Sequence, residues 1–268
     1  MSLNTDRPDV AVEMAKPHNR MTIRSFRDFL HEEKTGWSVP EILWLLGGIT
    51  CITILTVLKS QNGEVVWYSP QKITELVAAI TGCIAAILTG KAKLGAFIFG
   101  FINSVLYAYI SYHYKYYGEV MVKVLIFMPL NIYGMTCWLK NIDSVECEVI
   151  KRTLGLRNKI IIGMAVCIAT VSLGLLLSYI GGNRPYIDAT TTVLATTGLI
   201  LTINRYVQNW ILWIVLNVIS IWLWIIPFYK GEGQPVAILL MWCFYLTNSI
   251  VMYRRWKRRT QDLQKEIS

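Results

Sequence analysis

Eight stretches of this chain are apolar and long enough to cross a bilayer: 41–59, 73–90, 94–113, 119–139, 159–180, 187–203, 208–228 and 234–254. A spanning helix needs about 20 mostly apolar residues. In hydrocarbon its backbone N–H and C=O groups must all be bonded internally. Eight such stretches in 268 residues leave no room for a large soluble domain. Charged residues make up only 16% against 54% hydrophobic, too few to cover a water-soluble surface of this size. A disordered protein, a secreted disulfide scaffold and an ordinary cytosolic enzyme are excluded.

The net charge of +9 is unevenly placed. With eight spans, both termini share one side. That side carries 20 Lys and Arg, in the amino-terminal arm, the loops at 91–93, 140–159 and 204–207, and the carboxy-terminal tail. The other side carries five, Lys59, Lys72, Lys115, Arg184 and Lys230, and Lys123 lies inside a span. The positive-inside rule then places both termini in the cytoplasm. Basic residues beside a cytoplasmic leaflet explain the surplus, and no nucleic-acid partner is expected. The first 36 residues hold no apolar run, so no cleavable signal peptide is expected there. Within them Ile23, Phe26, Phe29 and Leu30 recur at helical spacing over Met21 to Lys34, which reads as an amphipathic helix on the membrane surface or as a disordered tail. Of the six cysteines, five lie inside spans and Cys147 in a basic loop; no CxxC pair or metal spacing occurs.

Two stretches resemble each other. Ile87-Leu88-Thr89, Lys91 and Asn103 are echoed by Ile200-Leu201-Thr202, Arg205 and Asn217, with the two asparagines 114 residues apart. Asn131 and Asn248 follow in the next spans, which end in Trp138 with Lys140 and Trp256 with Lys257. The expected fold is an all-α polytopic membrane protein of eight transmembrane helices. Two parallel three-helix repeats, 73–140 and 182–256, are joined by a basic loop and linker helix, 141–181. An extra amino-terminal helix and loop occupies 37–72, flanked by an arm (1–36) and a basic tail (257–268). Parallel repeats about the membrane normal are a transporter architecture.

Polar groups in hydrocarbon are expensive, so their positions carry information. Glu75, Glu119, Asp188 and Glu232 lie at or just before the starts of spans that begin on the outer side, where a carboxylate complements the helix dipole. With no acid at mid-membrane, an uncoupled carrier is expected. Asn103, Asn131, Asn217 and Asn248 sit at helix middles and can either tie helices together or meet a substrate's polar groups. Trp210, Trp213, Asn217, Ser220 and Trp224 form one helix face, as do Gly100, Asn103, Tyr107 and Ser111. Trp210 and Trp224 also suit interface anchors; Trp213 lies deeper. An indole beside an amide suits a flat, polar, cationic ring.

Trp-x-x-Trp-x-x-x-Asn at 210–217, preceded by Asn209, resembles the signature of the PnuC family of nicotinamide riboside transporters. Phe101-Ile102-Asn103, Tyr107-Ala108-Tyr109 and Asn131-Ile132-Tyr133-Gly134 are similar to that family too, and the resemblance covers about residues 72–257. It implies a 3+1+3 arrangement like that of the SWEET sugar transporters. It also implies facilitated diffusion of nicotinamide riboside across the bacterial inner membrane, trapping by a cytoplasmic nicotinamide riboside kinase, and a homotrimer. The candidate substrate-binding residues are Trp213, Asn217, Asn103, Trp210, Tyr107, Asn131 and Asn248. No cofactor or metal is expected. A SWEET-type sugar or other vitamin or nucleoside uniporter is the alternative. A membrane enzyme is disfavoured because His18, His31 and His113 lie in the arm or at a span end. A scaffold without transport would have no need of mid-membrane amides.

Overall fold

A computed structural model describes residues 26–61, 70–113, 117–142, 149–181, 184–229 and 235–267. Residues 21–25 of the amphipathic stretch, Cys147, Glu232 and the side chain of Trp224 lie outside the described residues. The elements are α1 (Phe26–Lys34), α2 (Val39–Gln61), α3 (Pro70–Gly90), α4 (Gly95–His113), α5 (Tyr117–Val122), a π-helical turn (Lys123–Phe127), α6 (Met128–Leu139), α7 (Leu156–Tyr179), α8 (Pro185–Ile203), α9 (Asn209–Tyr229) and α10 (Pro235–Ile267).

Among the described residues, five helices are long and apolar enough to span: Ile73–Gly90, Gly95–His113, Glu119–Leu139, Leu156–Tyr179 and Pro185–Ile203. The pair α1 and α2, bent by 96° at its break, adds a sixth if counted together. The molecule is therefore an all-helical, multi-pass membrane protein.

The π turn has a local cause. Pro129 lacks an N–H, and its ring would clash with the carbonyl four residues back, so the helix widens just before it. The Met128 N–H accordingly reaches the Lys123 carbonyl, and α5 and α6 continue as one span.

The packing is a closed ring: α3 against α4, α4 against α6, α6 against α8, α8 against α9, α9 against α10, and α10 back against α3. Two helices stand outside it. α7 packs on α8, and α2 packs on α3 and α10. The outward face of α7 is apolar and exposed at Leu156, Ile160, Ile168 and Leu175, as a lipid-facing surface must be.

The closest packing lies at the basic end of the ring. Phe97, Trp138, Ile142, Val149, Ile203, Val207, Trp210, Met252 and Trp256 form one buried cluster. Two turns frame it, 90–95 and 203–209. The amides of Lys91, Ala92 and Lys93 donate to Ile87, Thr89 and Leu88; those of Asn204, Arg205 and Tyr206 donate to Ile200, Thr202 and Leu201. The match holds at a separation of 113 residues (87 and 200, 88 and 201, 89 and 202). It continues into α4 and α9, where Ala96 and Phe97 donate to Lys93 and Leu94 as Asn209 and Trp210 do to Tyr206 and Val207. The turns are thus one residue out of step with the 114-residue spacing of the asparagines. In this register Asn217 corresponds to Ser104, and Asn103 to Leu216.

The loop at 149–152 joins both turns: the Val149 N–H donates to the Ala92 carbonyl, and the Arg152 N–H to Arg205.

The amphipathic stretch departs from its expected place on the membrane surface. α1 folds back onto the 91–95 turn. Its Phe29 packs on the buried cluster, Glu33 accepts the Gly95 N–H at 2.6 Å, and the Lys93 ammonium donates to the Glu32 carbonyl at 2.7 Å. Gly36, at φ 76°, supplies the left-handed residue that ends α1 and turns the chain into α2. The docked position is held by the Lys93 ammonium on the Glu32 carbonyl and by the Glu33 carboxylate on the helix-start amide of Gly95.

Candidate functional site

The interior of the ring collects the amides. Asn103 of α4 is half-buried and donates its Nδ2 to the Ala78 carbonyl of α3 at 2.7 Å. It reaches α3 because Gly82 has no side chain: a Cβ there would stand 3.0 Å from Asn103 Nδ2 and 3.1 Å from the Tyr245 hydroxyl. One glycine thus brings Asn103 and Tyr245 of α10 to the same spot. Asn248, buried and one turn on from Tyr245, donates Nδ2 to the Ala86 carbonyl of α3 at 3.3 Å. Its Oδ1 is buried with no hydrogen-bond partner among the described residues. Asn217 of α9 is buried and donates to the Ser249 hydroxyl of α10 at 3.1 Å. Three of the four asparagines therefore gather along α3, α9 and α10, each tying two helices together and two of them reaching across to a backbone carbonyl.

Asn131 and Tyr107 lie on the α4–α6 side. Asn131 is buried and donates to the Phe127 carbonyl at 2.8 Å, inside the widened turn. Its Oδ1 touches Gly100 of α4, where any side chain would collide. Tyr107 stands one turn beyond Asn103 on α4 and is 36% exposed. The Lys123 ammonium lies 5.3 Å from the Tyr107 ring centre and 4.4 Å from that of Phe127. A cation over these rings is attracted by their negative faces.

The two tryptophans of the α9 face part company. Trp213 is half-buried, its indole against Gly198 of α8, where an added Cβ would lie 3.2 Å from Cε2. Trp210 is 2% exposed and belongs to the basic-end cluster, edge-on to Trp256 at 5.7 Å and 83°. The structure does not bring Trp210 together with the amides; it packs it into the closing core.

Three buried polar groups were not singled out from the sequence. Tyr245 flanks Asn103, and Trp242 sits edge-on to it at 5.9 Å. The indole N–H of Trp242 and the hydroxyl of Thr196 on α8 are buried without a hydrogen-bond partner among the described residues. The threonine run at 190–192 and 196–197 was the available signal for Thr196. Nothing in the local sequence separates Tyr245 from an interface tyrosine. Among the described residues no group of His, Cys, Asp or Glu has metal-binding geometry.

Chemically, these residues offer amides, hydroxyls and aromatic faces, with the Lys123 ammonium over the Tyr107 face. The acids lie toward helix starts: Asp188 and Glu119 are exposed, and Glu75 is half-buried in the second turn of α3. Such a surface suits a ligand with a flat ring and several hydrogen-bonding groups.

Comparison with known proteins agrees with this chemistry. The family model described as nicotinamide mononucleotide transporter matches residues 72–258. A nicotinamide riboside transporter PnuC from Neisseria mucosa is 31% identical over 227 residues, covering 83% of this chain and 82% of that protein. Its namesake from Haemophilus influenzae is 27% identical, covering 84% and 92%. A crystal structure of the vitamin B3 transporter PnuC superposes with a TM-score of 0.73 at 30% identity, covering 91% of this chain and 100% of that one. A ring of helices around amides and aromatic faces, matched over most of its length in sequence and in fold, makes this chain a member of the PnuC family of nicotinamide riboside transporters.

Proposed function

We propose that the chain carries nicotinamide riboside across the bacterial inner membrane by facilitated diffusion. The observation that carries this reading is the set of asparagine amides within the ring, three of which tie neighbouring helices together beside aromatic faces. Nicotinamide riboside is a cationic aromatic ring with a carboxamide and ribose hydroxyls. Trp213 and Tyr107 supply faces for the ring, and Asn103, Asn131, Asn217 and Asn248 supply hydrogen bonds. Trp210 stabilises the closed end below them. A phosphorylated relative would call for an arginine clamp; among the described residues none lines the amide cluster. This favours the riboside over the mononucleotide named by the family model.

The halves α3–α4–α6 and α8–α9–α10 act as two parallel three-helix repeats, with α7 as linker and α2 as the extra helix. Supporting this, Phe97 meets Trp138 edge-on at 4.8 Å and 84°, as Trp210 meets Trp256. The glycine contacts are also exchanged: Gly134 receives Ile203, and Gly90 receives Met252. Rocking of one half on the other gives alternating access. Both termini and the basic end face the cytoplasm, three copies assemble, and a cytoplasmic kinase makes net uptake one-way.

The experiment is uptake of labelled nicotinamide riboside into liposomes holding the protein and no kinase. Label enters to the external concentration and leaves on dilution, with or without a proton or sodium gradient at zero potential. Concentration above the external level driven by either gradient overturns the uniport mechanism. Uptake of a sugar in its place favours the SWEET-type alternative.

A further inference from the structure

The ring is closed at two junctions, α6 against α8 and α10 against α3. At the basic end both are sealed in the same way. The Trp138 indole donates to the last carbonyls of α8 and the Trp256 indole to the last carbonyl of α3. The α3–α10 junction receives an addition from the amino-terminal segment. The carboxylate of Glu41, at the start of α2, accepts from Lys91 Nζ at 2.7 Å and from Arg255 Nη1. Lys91 belongs to the turn after α3, and Arg255 to α10. The extra amino-terminal segment thus holds together two elements that lie on opposite sides of a junction between the halves.

Glu41 is itself held. Its Oε2 accepts the Ser38 N–H at 2.8 Å, closing the first turn of α2. Lys91 also donates to the Gly36 carbonyl at 2.7 Å and lies 4.8 Å over the Trp37 ring. The Trp37 indole in turn donates to Glu33 at 2.7 Å. Lys91 is fully buried, while the Glu41 and Arg255 side chains are 17% and 24% exposed. A bridge anchored on one buried partner and reachable by water at the other can part without stranding a charge in an apolar core.

We propose that Glu41 is a positioning residue for transport: its bridge from Lys91 to Arg255 holds the basic end shut across the α3–α10 junction, and the passage of substrate to that side requires the bridge to part. The inference rests on the transporter reading above. The two tryptophan-sealed junctions close the ring; α1 and α2 set how readily one of them opens.

The test uses the full-length protein in liposomes, with exchange of labelled nicotinamide riboside as readout and binding in detergent as control. Glu41→Gln and Arg255→Gln each raise the exchange rate by about 2- to 10-fold, the scale of a partly exposed ion pair biasing a two-state equilibrium. Because both remove the Glu41–Arg255 contact, the double variant is no faster than Glu41→Gln alone. The second arm pairs Glu41→Cys with Arg255→Cys and joins them by a short, reducible bifunctional thiol reagent. Joining stops exchange, reduction restores it, and binding in detergent stays within twofold, which a purely structural contact would not produce. Either variant carrying just one of the two introduced cysteines keeps its rate when treated with the same reagent. Exchange by the joined protein at the unjoined rate, or Gln variants that bind but exchange at the parent rate, overturns the inference while leaving the transporter reading intact. If Glu41→Gln loses binding through misfolding, Arg255→Gln decides the first arm. If the unmodified protein takes up no nicotinamide riboside, the transporter reading fails and this inference fails with it.

Discussion

Trp138 and Trp256 stand 6.3 Å apart, centre to centre, and each caps the end of a helix in the other's half of the ring. Trp138 Nε1 lies 3.1 Å from the carbonyls of Thr202 and Ile203; Trp256 Nε1 lies 2.7 Å from that of Gly90. The Thr202 carbonyl also accepts the Arg205 N–H; those of Ile203 and Gly90 are the last of α8 and α3, beyond the reach of intrahelical donors. Both indoles are fully buried. The basic end is therefore sealed by two reciprocal hydrogen bonds inside one apolar cluster. Trp138→Phe and Trp256→Phe each leave a buried carbonyl unpaired, a cost of about 1–3 kcal/mol. Thermal unfolding in detergent will show lowered midpoints for both. An unshifted midpoint for either would mean water replaces the indole.

Trp213 and Trp210 separate site from scaffold. Trp213→Ala should weaken nicotinamide riboside binding about 5- to 150-fold, on the scale of about 1–3 kcal/mol per stacked base, with little change in the unfolding midpoint. Trp210→Ala should do the reverse, because it empties a core position at a cost of about 3–5 kcal/mol. Titration and unfolding on the two variants check this. Equal loss of affinity in both would return Trp210 to the binding surface.

Gly134 is a packing requirement. A Cβ there would meet Phe97 Cζ at 2.7 Å and Ile203 Cγ1 at 2.8 Å. Both neighbours are buried in the cluster, so neither can swing aside freely. Gly134→Ala should destabilise by about 1–3 kcal/mol through overpacking. Gly163→Ala, where nothing stands within 4 Å, is the matched control and should be neutral or slightly stabilising. A neutral Gly134→Ala would show that the halves slide apart easily at this point.

α1 docking should depend on pH. Burial, reinforced by the neighbouring Glu33 carboxylate, pushes Glu32 up to about 9, with Lys93 pulling the other way. A carboxyl raised above its ordinary value stabilises docking fully below about 4.5, and that contribution is lost as pH rises toward 9. Protection of the α1 amides from hydrogen exchange, corrected for the intrinsic pH dependence of exchange, should therefore fall between pH 6 and 9. Glu32→Gln cannot ionise and should flatten the profile. A flat profile in the parent protein would show that the Lys93 charge keeps Glu32 ionised throughout.

Much of the ring could be read along the chain, and the reasons are local. Apolar length marks a span because an unpaired backbone group cannot be left in lipid; the helices at 73–90, 94–113 and 159–180 needed nothing more. The paired motifs around Ile87 and Ile200, and the tryptophans at 138 and 256, pointed to two related halves because each repeats a residue type at a matching place. What the chain could not state is which side chains share a space. Asn103 meets Tyr245 only because Gly82, on a third helix, leaves a gap for both. Trp210 and Trp213 differ by one turn on one face, yet one is locked in the closing core and the other lies beside Gly198, since the neighbouring helices set their surroundings. The one-residue offset between turns and asparagines is invisible without the hydrogen bonds that define the turns. α1 carries the pattern of a surface helix, and its docking depends on Lys93 and the Gly95 amide, about 60 residues away, lying together at the same end of the bundle. Sequence alone determined the element type and the apolar faces, through backbone hydrogen bonding and hydrophobicity; only the tertiary structure decided which polar groups meet, because that depends on contacts between distant helices.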